Sequence, residues 1–96
     1  MTILLVDAGN TRVKWAIAQR DAAPGDWLAH GAVAHAALDS LRAAWEGHGV
    51  ERAIVSNVAG AQLAERLAAL LLPLLPVAPE WFGARAALAE IGRAHV

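Results

Sequence analysis

The chain of 96 residues contains no cysteine, which excludes disulfides, thiolate metal sites and cysteine nucleophiles and fits a reducing cytoplasm. It also lacks a long uncharged run. The longest such stretch, residues 67–79, is too short to cross a bilayer and contains three prolines. The opening residues 1–7 carry no basic leader, so we expect no export signal. The sequence therefore predicts a cytoplasmic protein without a membrane partner.

The chain also lacks a marked excess of positive or negative charge. Eight Lys and Arg stand against nine Asp and Glu, which gives a formal net charge of −1 and excludes nucleic acid as a partner that a basic surface would attract. Four histidines show no metal-ligand spacing and are interpreted as surface or loop residues. Four tryptophans among few basic residues indicate core packing rather than a base-stacking platform.

Apolar residues, by contrast, are abundant. They make up 57% of the chain, and the mean hydropathy is +0.41. A domain of this length buries only about 60–65% of the surface that its unfolded chain exposes. We therefore expect part of the apolar surface to pack against another segment or subunit, and the three adjacent leucines Leu70, Leu71 and Leu72 are one candidate for that contact.

Hydrophobic patterning predicts three strands followed by alternating helices and strands. The predicted strands are residues 2–6, 12–18, 27–34 and 52–57 and an edge strand near 77–82. The first is a continuous apolar run typical of a central strand, and a turn over 7–11, in which Gly9 and Asn10 tolerate positive φ, joins it to the second. Gly31 is a candidate bulge in the third strand. The helices are residues 36–46, ended by Gly47; residues 61 to about 72, ended by Pro73; and residues 84–91, ended by Gly92.

This order predicts the fold class. Right-handed crossovers place the fourth strand parallel to the first and give an α/β protein with a mixed sheet, the layout of the ribonuclease H-like fold, in one domain. Ligands of open sheets collect at the carboxyl ends of the strands, which here carry residues 7–10 and the pair Ser56 and Asn57. We interpret Asn57 as a cap of the following helix and place neither Ser56 nor Asn57 in the predicted site.

The segment Asp7–Lys14 carries the residues that suit a nucleotide phosphate. A carboxylate at the end of a strand can hold hydrated Mg²⁺, Gly9 lets backbone amides approach phosphate oxygens, and Lys14 can neutralise phosphate charge. The same residue types also form ordinary turns between two strands of a hairpin, and Lys14 would then be a solvated strand residue. Against that alternative, a carboxylate that ends a doubly buried strand costs desolvation energy unless something pairs with it.

The stretches ILLVDAGNTRVKWAIA and AIVSNVAG resemble the N-terminal part of the type III pantothenate kinases, also known as Bvg accessory factor-like proteins. That resemblance implies the acetate and sugar kinase, Hsp70 and actin superfamily, in which two ribonuclease H-like halves close around ATP. It implies ATP-dependent phosphorylation of pantothenate to 4′-phosphopantothenate, the committed step toward coenzyme A. It also implies ATP, Mg²⁺ and a monovalent cation, K⁺ or NH₄⁺, as cofactors and a homodimeric full-length protein.

Carried over by position, the family's first phosphate-binding motif comprises Asp7, Ala8, Gly9, Asn10, Thr11, Arg12, Val13 and Lys14, with Asp7 as the residue that organises the metal. The family's Asn-x-Tyr, Gly-x-Asp-Arg and Gly-Thr-Ala-Thr motifs do not occur in these 96 residues, and the general base belongs to the second of them. We therefore expect residues 1–96 to be a truncated N-terminal half-domain with no catalytic residue, weak ATP binding and little turnover.

Two alternatives stay open at this point. The chain is also compatible with a non-catalytic ribonuclease H-like module that binds nucleotides or other proteins, and with another kinase of the same superfamily. The phosphate acceptor is set by residues of the other half, so this segment alone does not distinguish pantothenate from another acceptor.

Overall fold

The computed structural model describes residues 1–23 and 25–83. These residues form a five-stranded sheet with helical segments between its third and fourth and its fourth and fifth strands. The elements in chain order are β1 (Thr2–Ala8), β2 (Arg12–Gln19), β3 (Ala29–Ala34), a 3₁₀ segment (His35–Ser40), α1 (Leu41–Trp45), β4 (Arg52–Asn57), α2 (Ala61–Leu71) and β5 (Glu80–Gly83).

The strands lie in the order β3-β2-β1-β4-β5. β1 is antiparallel to β2 and parallel to β4, β2 is antiparallel to β3, and β5 is parallel to β4. The central position of β1, the antiparallel meander and the parallel return of the fourth strand confirm the predicted mixed sheet. The molecule is an α/β protein with the ribonuclease H-like strand order.

The first strand is longer than its apolar run. β1 continues through Asp7 to Ala8 because its parallel neighbour supplies partners that far: Ala8 is in register with Asn57, and the Ala8 carbonyl accepts a 3.0 Å hydrogen bond from the Val58 amide. Asp7 therefore lies within a central strand rather than after it. β3 is shorter than predicted and begins at Ala29, where its pairing with β2 starts.

The predicted bulge at Gly31 is wrong. Pairing of β2 with β3 is continuous, and Gly31 lies directly opposite Trp15. A Cβ atom on Gly31 would lie 3.0 Å from Cζ2 of Trp15. The glycine therefore makes room for the indole ring that crosses it, and a long-range contact rather than an irregular strand explains the residue.

The helix predicted over residues 36–46 is two segments. Ala37 has non-helical backbone angles, φ −102° and ψ 17°, and the 3₁₀ segment His35–Ser40 precedes the short α1. Ala34, which precedes the first segment, provides no side-chain cap. The apolar spacing was nevertheless right about burial, since Leu38, Leu41 and Trp45 are all buried. Gly47, at φ 83°, ends the segment as predicted.

The 3₁₀ segment, α1 and α2 all pack on one face of the sheet. Core residues of the strands, such as Leu4 and Val55, form one apolar cluster with residues of these segments, such as Trp45 and Leu67. The Trp15 ring meets the Trp45 ring edge-to-face with centroids 6.3 Å apart. The core interpretation therefore holds for these two tryptophans.

Two other hydrophobic side chains do not follow the core expectation. Trp81 is 40% exposed, which makes the core prediction wrong at that position. Leu72 is 74% exposed just after α2, whereas Leu70 and Leu71 are buried, so only one of the three adjacent leucines is available for another contact. Within residues 1–23 and 25–83, no helix is long and apolar enough to cross a bilayer. The predicted helix 84–91 lies outside the described residues.

Candidate functional site

Three chemically active side chains align across the sheet near the edge at which β1 and β4 end, here named the carboxyl edge. Asp7 of β1 is in register with Lys14 of β2 on one side and with Ser56 of β4 on the other. Residues directly opposite in neighbouring strands project from the same face, with Cβ atoms about 4.5–5.5 Å apart in antiparallel pairs. The face that they share is opposite the one covered by the helical segments.

The two charges of this row have no partner within the described part of the chain. Neither the Asp7 carboxylate nor the Lys14 ammonium makes a hydrogen bond or ion pair with residues 1–23 or 25–83, although they face each other across adjacent strands. Lys14 is exposed and Asp7 is half-buried, whereas Ser56 is fully buried. Leu4 and Leu5 are buried on opposite faces of β1, as expected of a strand covered on both sides, but the Asp7 side chain near its end is only half-buried.

The turn after β1 is held by its backbone. The Gly9 amide donates a 2.9 Å hydrogen bond to the Arg12 carbonyl, and a Cβ atom on Gly9 would lie 3.3 Å from that same oxygen. A side chain at this position would therefore force the backbone of the turn to shift by a few tenths of an ångström. The expected positive φ is wrong, because neither Gly9 nor Asn10 adopts it. Asn10 and Thr11 are exposed and make no hydrogen bond to another described residue.

Two of the eight predicted residues point away from any ligand at this edge. Ala8 and Val13 are fully buried in the core cluster, so their side chains pack while only their backbone lies near the turn. Arg12 is exposed at the start of β2. The structure therefore brings Asp7 and Lys14 together on one face, with the turn between them at the carboxyl edge.

The loop after β4 borders the same edge. The Asn57 carboxamide accepts a 3.0 Å hydrogen bond from the Ala59 amide and donates one of 3.0 Å to the Gly60 carbonyl. Asn57 is not the helix cap that the sequence predicted, because α2 begins after Gly60, at φ 98°, without a side-chain cap. Asn57 instead closes the loop that carries Val58, whose amide binds the Ala8 carbonyl.

One residue that contacts the site was not among the predicted ones. Nε2 of His35 lies 2.7 Å from the Gly9 carbonyl oxygen, so the partly buried imidazole is bonded to the turn rather than being a free surface histidine. His35 and Gly9 are 26 residues apart in the chain. No local spacing could have identified this contact, because only the sheet order brings the end of β3 next to the turn.

The donor set suits a metal carried by a phosphate ligand more than a metal held by protein alone. Among the described residues, no group of three or more His, Asp or Glu side chains is placed to bind an ion. Mg²⁺ commonly binds through one or two carboxylates, with phosphate oxygens and water completing its octahedral shell. The half-buried carboxylate of Asp7, which has no partner in the described part of the chain, fits that arrangement.

The family of the chain follows from comparison with known proteins. The model of the family "Type III pantothenate kinase" matches residues 3–92. The chain belongs to the type III pantothenate kinase family. This membership confirms the family to which the sequence motifs pointed.

Named type III pantothenate kinases match most of the chain. The protein from Janthinobacterium sp. (strain Marseille) is 48% identical over 96 residues, which cover 94% of this chain and 36% of the relative. The protein from Herminiimonas arsenicoxydans is 42% identical over 84 residues, or 83% of this chain and 33% of the relative. The chain therefore spans about a third of the length of the type III pantothenate kinases that it matches.

Among solved structures, the Ppx/GppA family member from Aquifex aeolicus overlaps 90% of this chain and 36% of its own, with a TM-score of 0.47 and 13% identity. A TM-score of that size does not by itself establish a shared fold. The fold assignment rests on the strand order instead.

Proposed function

We propose that residues 1–96 form the N-terminal ATP-binding half-domain of a type III pantothenate kinase, which transfers the terminal phosphate of ATP to pantothenate and gives 4′-phosphopantothenate. One observation carries the proposal: in a chain of this family, the Asp7 carboxylate and the Lys14 ammonium lie side by side at the carboxyl edge with no partner among residues 1–23 and 25–83. Open α/β sheets bind their ligands at such an edge. The proposed location is the cytoplasm, and the proposed partners are ATP and pantothenate.

Asp7 is the residue proposed to hold Mg²⁺. The ion, when bound with the nucleotide, neutralises charge that builds up on the phosphate oxygens during transfer. Asp7 contributes a carboxylate on a central strand, and that strand is fixed by hydrogen-bonded neighbours on both sides. A rigid position matters because phosphoryl transfer depends on placement of charge more than on covalent chemistry.

Lys14 and the turn are proposed to bind the phosphates themselves. The Lys14 ammonium is exposed and directly opposite Asp7, where it can form a charge-assisted hydrogen bond with a phosphate oxygen. The amides and side chains of Asn10 and Thr11 have no partners among the described residues and are exposed beside it. Consecutive amides in a tight turn form a concave site that favours anions.

These residues supply only one side of the reaction. The Gly-x-Asp-Arg motif, which carries the family's general base, and the Gly-Thr-Ala-Thr loop do not occur in residues 1–96. We therefore expect this chain to bind Mg-ATP without phosphorylating pantothenate. We assign no residue of 1–23 and 25–83 to the monovalent cation or, individually, to the interface of the homodimer that the family implies.

The proposal is tested by calorimetric titration of the 96-residue chain with ATP, in Mg²⁺ and in EDTA. Wild type should bind more tightly in Mg²⁺, and Asp7→Asn should lose that difference and about tenfold or more in affinity, since a charge-assisted contact contributes about 1.5–3 kcal/mol. Asp21→Asn is the matched control, because Asp21 is exposed after β2 at the far end of the sheet. It should bind as wild type does.

Two outcomes would overturn parts of the proposal. Equal affinity of wild type and Asp7→Asn in Mg²⁺ would remove Asp7 from the site, and absence of ATP binding would favour a non-catalytic interaction module. Pantothenate phosphorylation by residues 1–96 alone would contradict the claim that the reaction needs residues beyond them. Radiolabelled phosphate transfer to pantothenate measures that activity directly.

A further inference from the structure

Two successive carbonyls of the turn after β1 are bound from outside the hairpin. The Ala8 carbonyl accepts the Val58 amide at 3.0 Å, from the loop after β4. The Gly9 carbonyl accepts from His35 at 2.7 Å, from the segment after β3. The turn is thus held from both neighbouring connections, once by backbone and once by a side chain.

The contact with the Gly9 carbonyl shows which ring nitrogen of His35 carries a hydrogen. A carbonyl oxygen only accepts, so Nε2 of His35 carries the hydrogen and donates it. Both the neutral Nε2–H tautomer and the imidazolium satisfy that requirement. Because the hydrogen bond between His35 and Gly9 is short and partly buried, water competes for it only weakly. The bond therefore restrains the peptide that follows Gly9.

His35 is itself fixed to the rest of the fold. Its own carbonyl accepts a 3.2 Å hydrogen bond from Nη1 of Arg66, which lies on α2. It opens the 3₁₀ segment that buries Leu38 completely. The imidazole therefore extends from a position anchored by both the core and the second helix, so it can hold the turn rather than move with it.

The bond to Gly9 also sets the direction of the next amide. The peptide that joins Gly9 to Asn10 is trans, so its carbonyl and its N–H point in opposite directions. With the Gly9 oxygen bound to His35, the Asn10 N–H points away from His35. That amide has no hydrogen-bond partner among the described residues, and Asn10 is exposed.

We propose that His35 is a positioning residue of the phosphate site, which holds the Gly9–Asn10 peptide so that the Asn10 amide faces the bound phosphate. This inference rests on the proposed function, because the phosphate of Mg-ATP is the partner assigned to that amide. Gly9 has no side chain to restrict rotation of this peptide, so the bond from His35 replaces the missing restraint. His35 touches neither the phosphate nor the metal.

Three variants of the 96-residue chain test the role. His35→Phe keeps a planar ring without a donor. His35→Gln places an amide donor near the position of Nε2, whereas the shorter His35→Asn does not reach the Gly9 oxygen. Each is titrated with ATP in Mg²⁺, its unfolding midpoint is measured, and amide hydrogen exchange is followed by NMR at residues 9–11 without nucleotide.

We expect His35→Phe and His35→Asn to bind Mg-ATP about fivefold more weakly, the equivalent of one ordinary hydrogen bond, and His35→Gln to bind within about twofold of wild type. Exchange at Gly9, whose amide is bonded to the Arg12 carbonyl within the same turn, should quicken in the first two variants and not in the third. Recovery by glutamine is a result that a merely structural role in the core would not give. Should His35→Phe fail to fold, the comparison of glutamine with asparagine decides the question.

The same titrations distinguish failure of the His35 role from failure of the proposed function. If wild type binds Mg-ATP and His35→Asn binds it equally well, His35 has no positioning role while the proposed function stands. If wild type and all variants bind no nucleotide, the proposed function fails, and this inference fails with it. If affinity falls equally in the glutamine and asparagine variants, the donor at Nε2 is not what matters, and the inference is overturned.

Discussion

The two ends of the sheet use their polar side chains in opposite ways. At the amino edge, where β1, β4 and β5 begin, several charged and amide groups bind one another or the backbone. The contacts there are Met1 ammonium to Gln19 Oε1 at 3.3 Å, Thr2 amide to Glu51 Oε1 at 3.2 Å, Gln19 Nε2 to Thr2 Oγ1 at 3.1 Å and Arg52 to Glu80 at 2.7 Å. At the carboxyl edge, Asp7 and Lys14 face each other without a partner among the described residues.

The backbone of the carboxyl edge, unlike its charged side chains, is bound by other parts of the fold. At the carboxyl edge the carbonyls of Ala8 and Gly9 are bound by groups from two other connections, so the turn is held, while Asp7 and Lys14 beside it have no partner within residues 1–23 and 25–83. Polar groups that a fold leaves unpaired next to a restrained backbone are suited to a ligand, because binding then costs little ordering. The contrast separates the edge that stabilises the fold from the edge proposed to bind nucleotide.

The largest expected difference between the two edges is in nucleotide affinity when one cation is removed from each edge. Lys14→Met should weaken Mg-ATP binding about tenfold, because it removes a charge-assisted contact to phosphate. Arg52→Met removes a cation of the amino edge and should leave nucleotide affinity unchanged. Calorimetric titration measures both, and a loss of affinity in Arg52→Met as large as that in Lys14→Met would abolish the distinction.

A smaller effect is expected from the loop that borders the carboxyl edge. Asn57→Ala removes two hydrogen bonds of 3.0 Å and should lower the free energy of unfolding by about 1–2 kcal/mol. Urea titration monitored by circular dichroism gives the value. Gln62→Ala, an exposed substitution in the first turn of α2, should stay within about 0.5 kcal/mol of wild type. Equal stability of Asn57→Ala and wild type would show that the carboxamide does not hold the loop.

The smallest effect is expected at the ion pair of the amino edge. Arg52 and Glu80 join β4 to β5, but their side chains are 43% and 46% exposed, so solvent weakens their attraction. A double-mutant cycle with Arg52→Met and Glu80→Gln should give a coupling of about 0.2–1 kcal/mol in urea unfolding. A coupling well above that range would mean that this edge depends on charge more than its exposure indicates.

Local pattern was enough to predict the strands that build the site. The apolar run of β1, the alternation of β2 and the short apolar β4 each identify a strand, and right-handed connection places β4 beside β1. The row formed by Asp7, Lys14 and Ser56 follows from that register. Side-chain exposure did not follow, because the half-burial of Asp7 depends on what covers its face of the sheet.

Long-range contacts explain what the sequence did not predict. Gly31 has the signature of a bulge, yet its neighbour Trp15 decides its role. Spacing of buried residues marked the face of the segment after β3 but did not distinguish a 3₁₀ turn from an α-helix. His35 reaches Gly9 only after three strands have paired, so its contact with the site is a property of the sheet order.

Backbone NMR of the 96-residue chain during titration with Mg-ATP tests the central claim most directly. We expect the largest amide shifts at Gly9, Asn10 and Thr11, smaller shifts at Asp7 and Lys14, and unchanged amide signals at the amino edge, for example at Thr2 and Arg52. Shifts concentrated at the amino edge, or no shifts at saturating nucleotide, would contradict it.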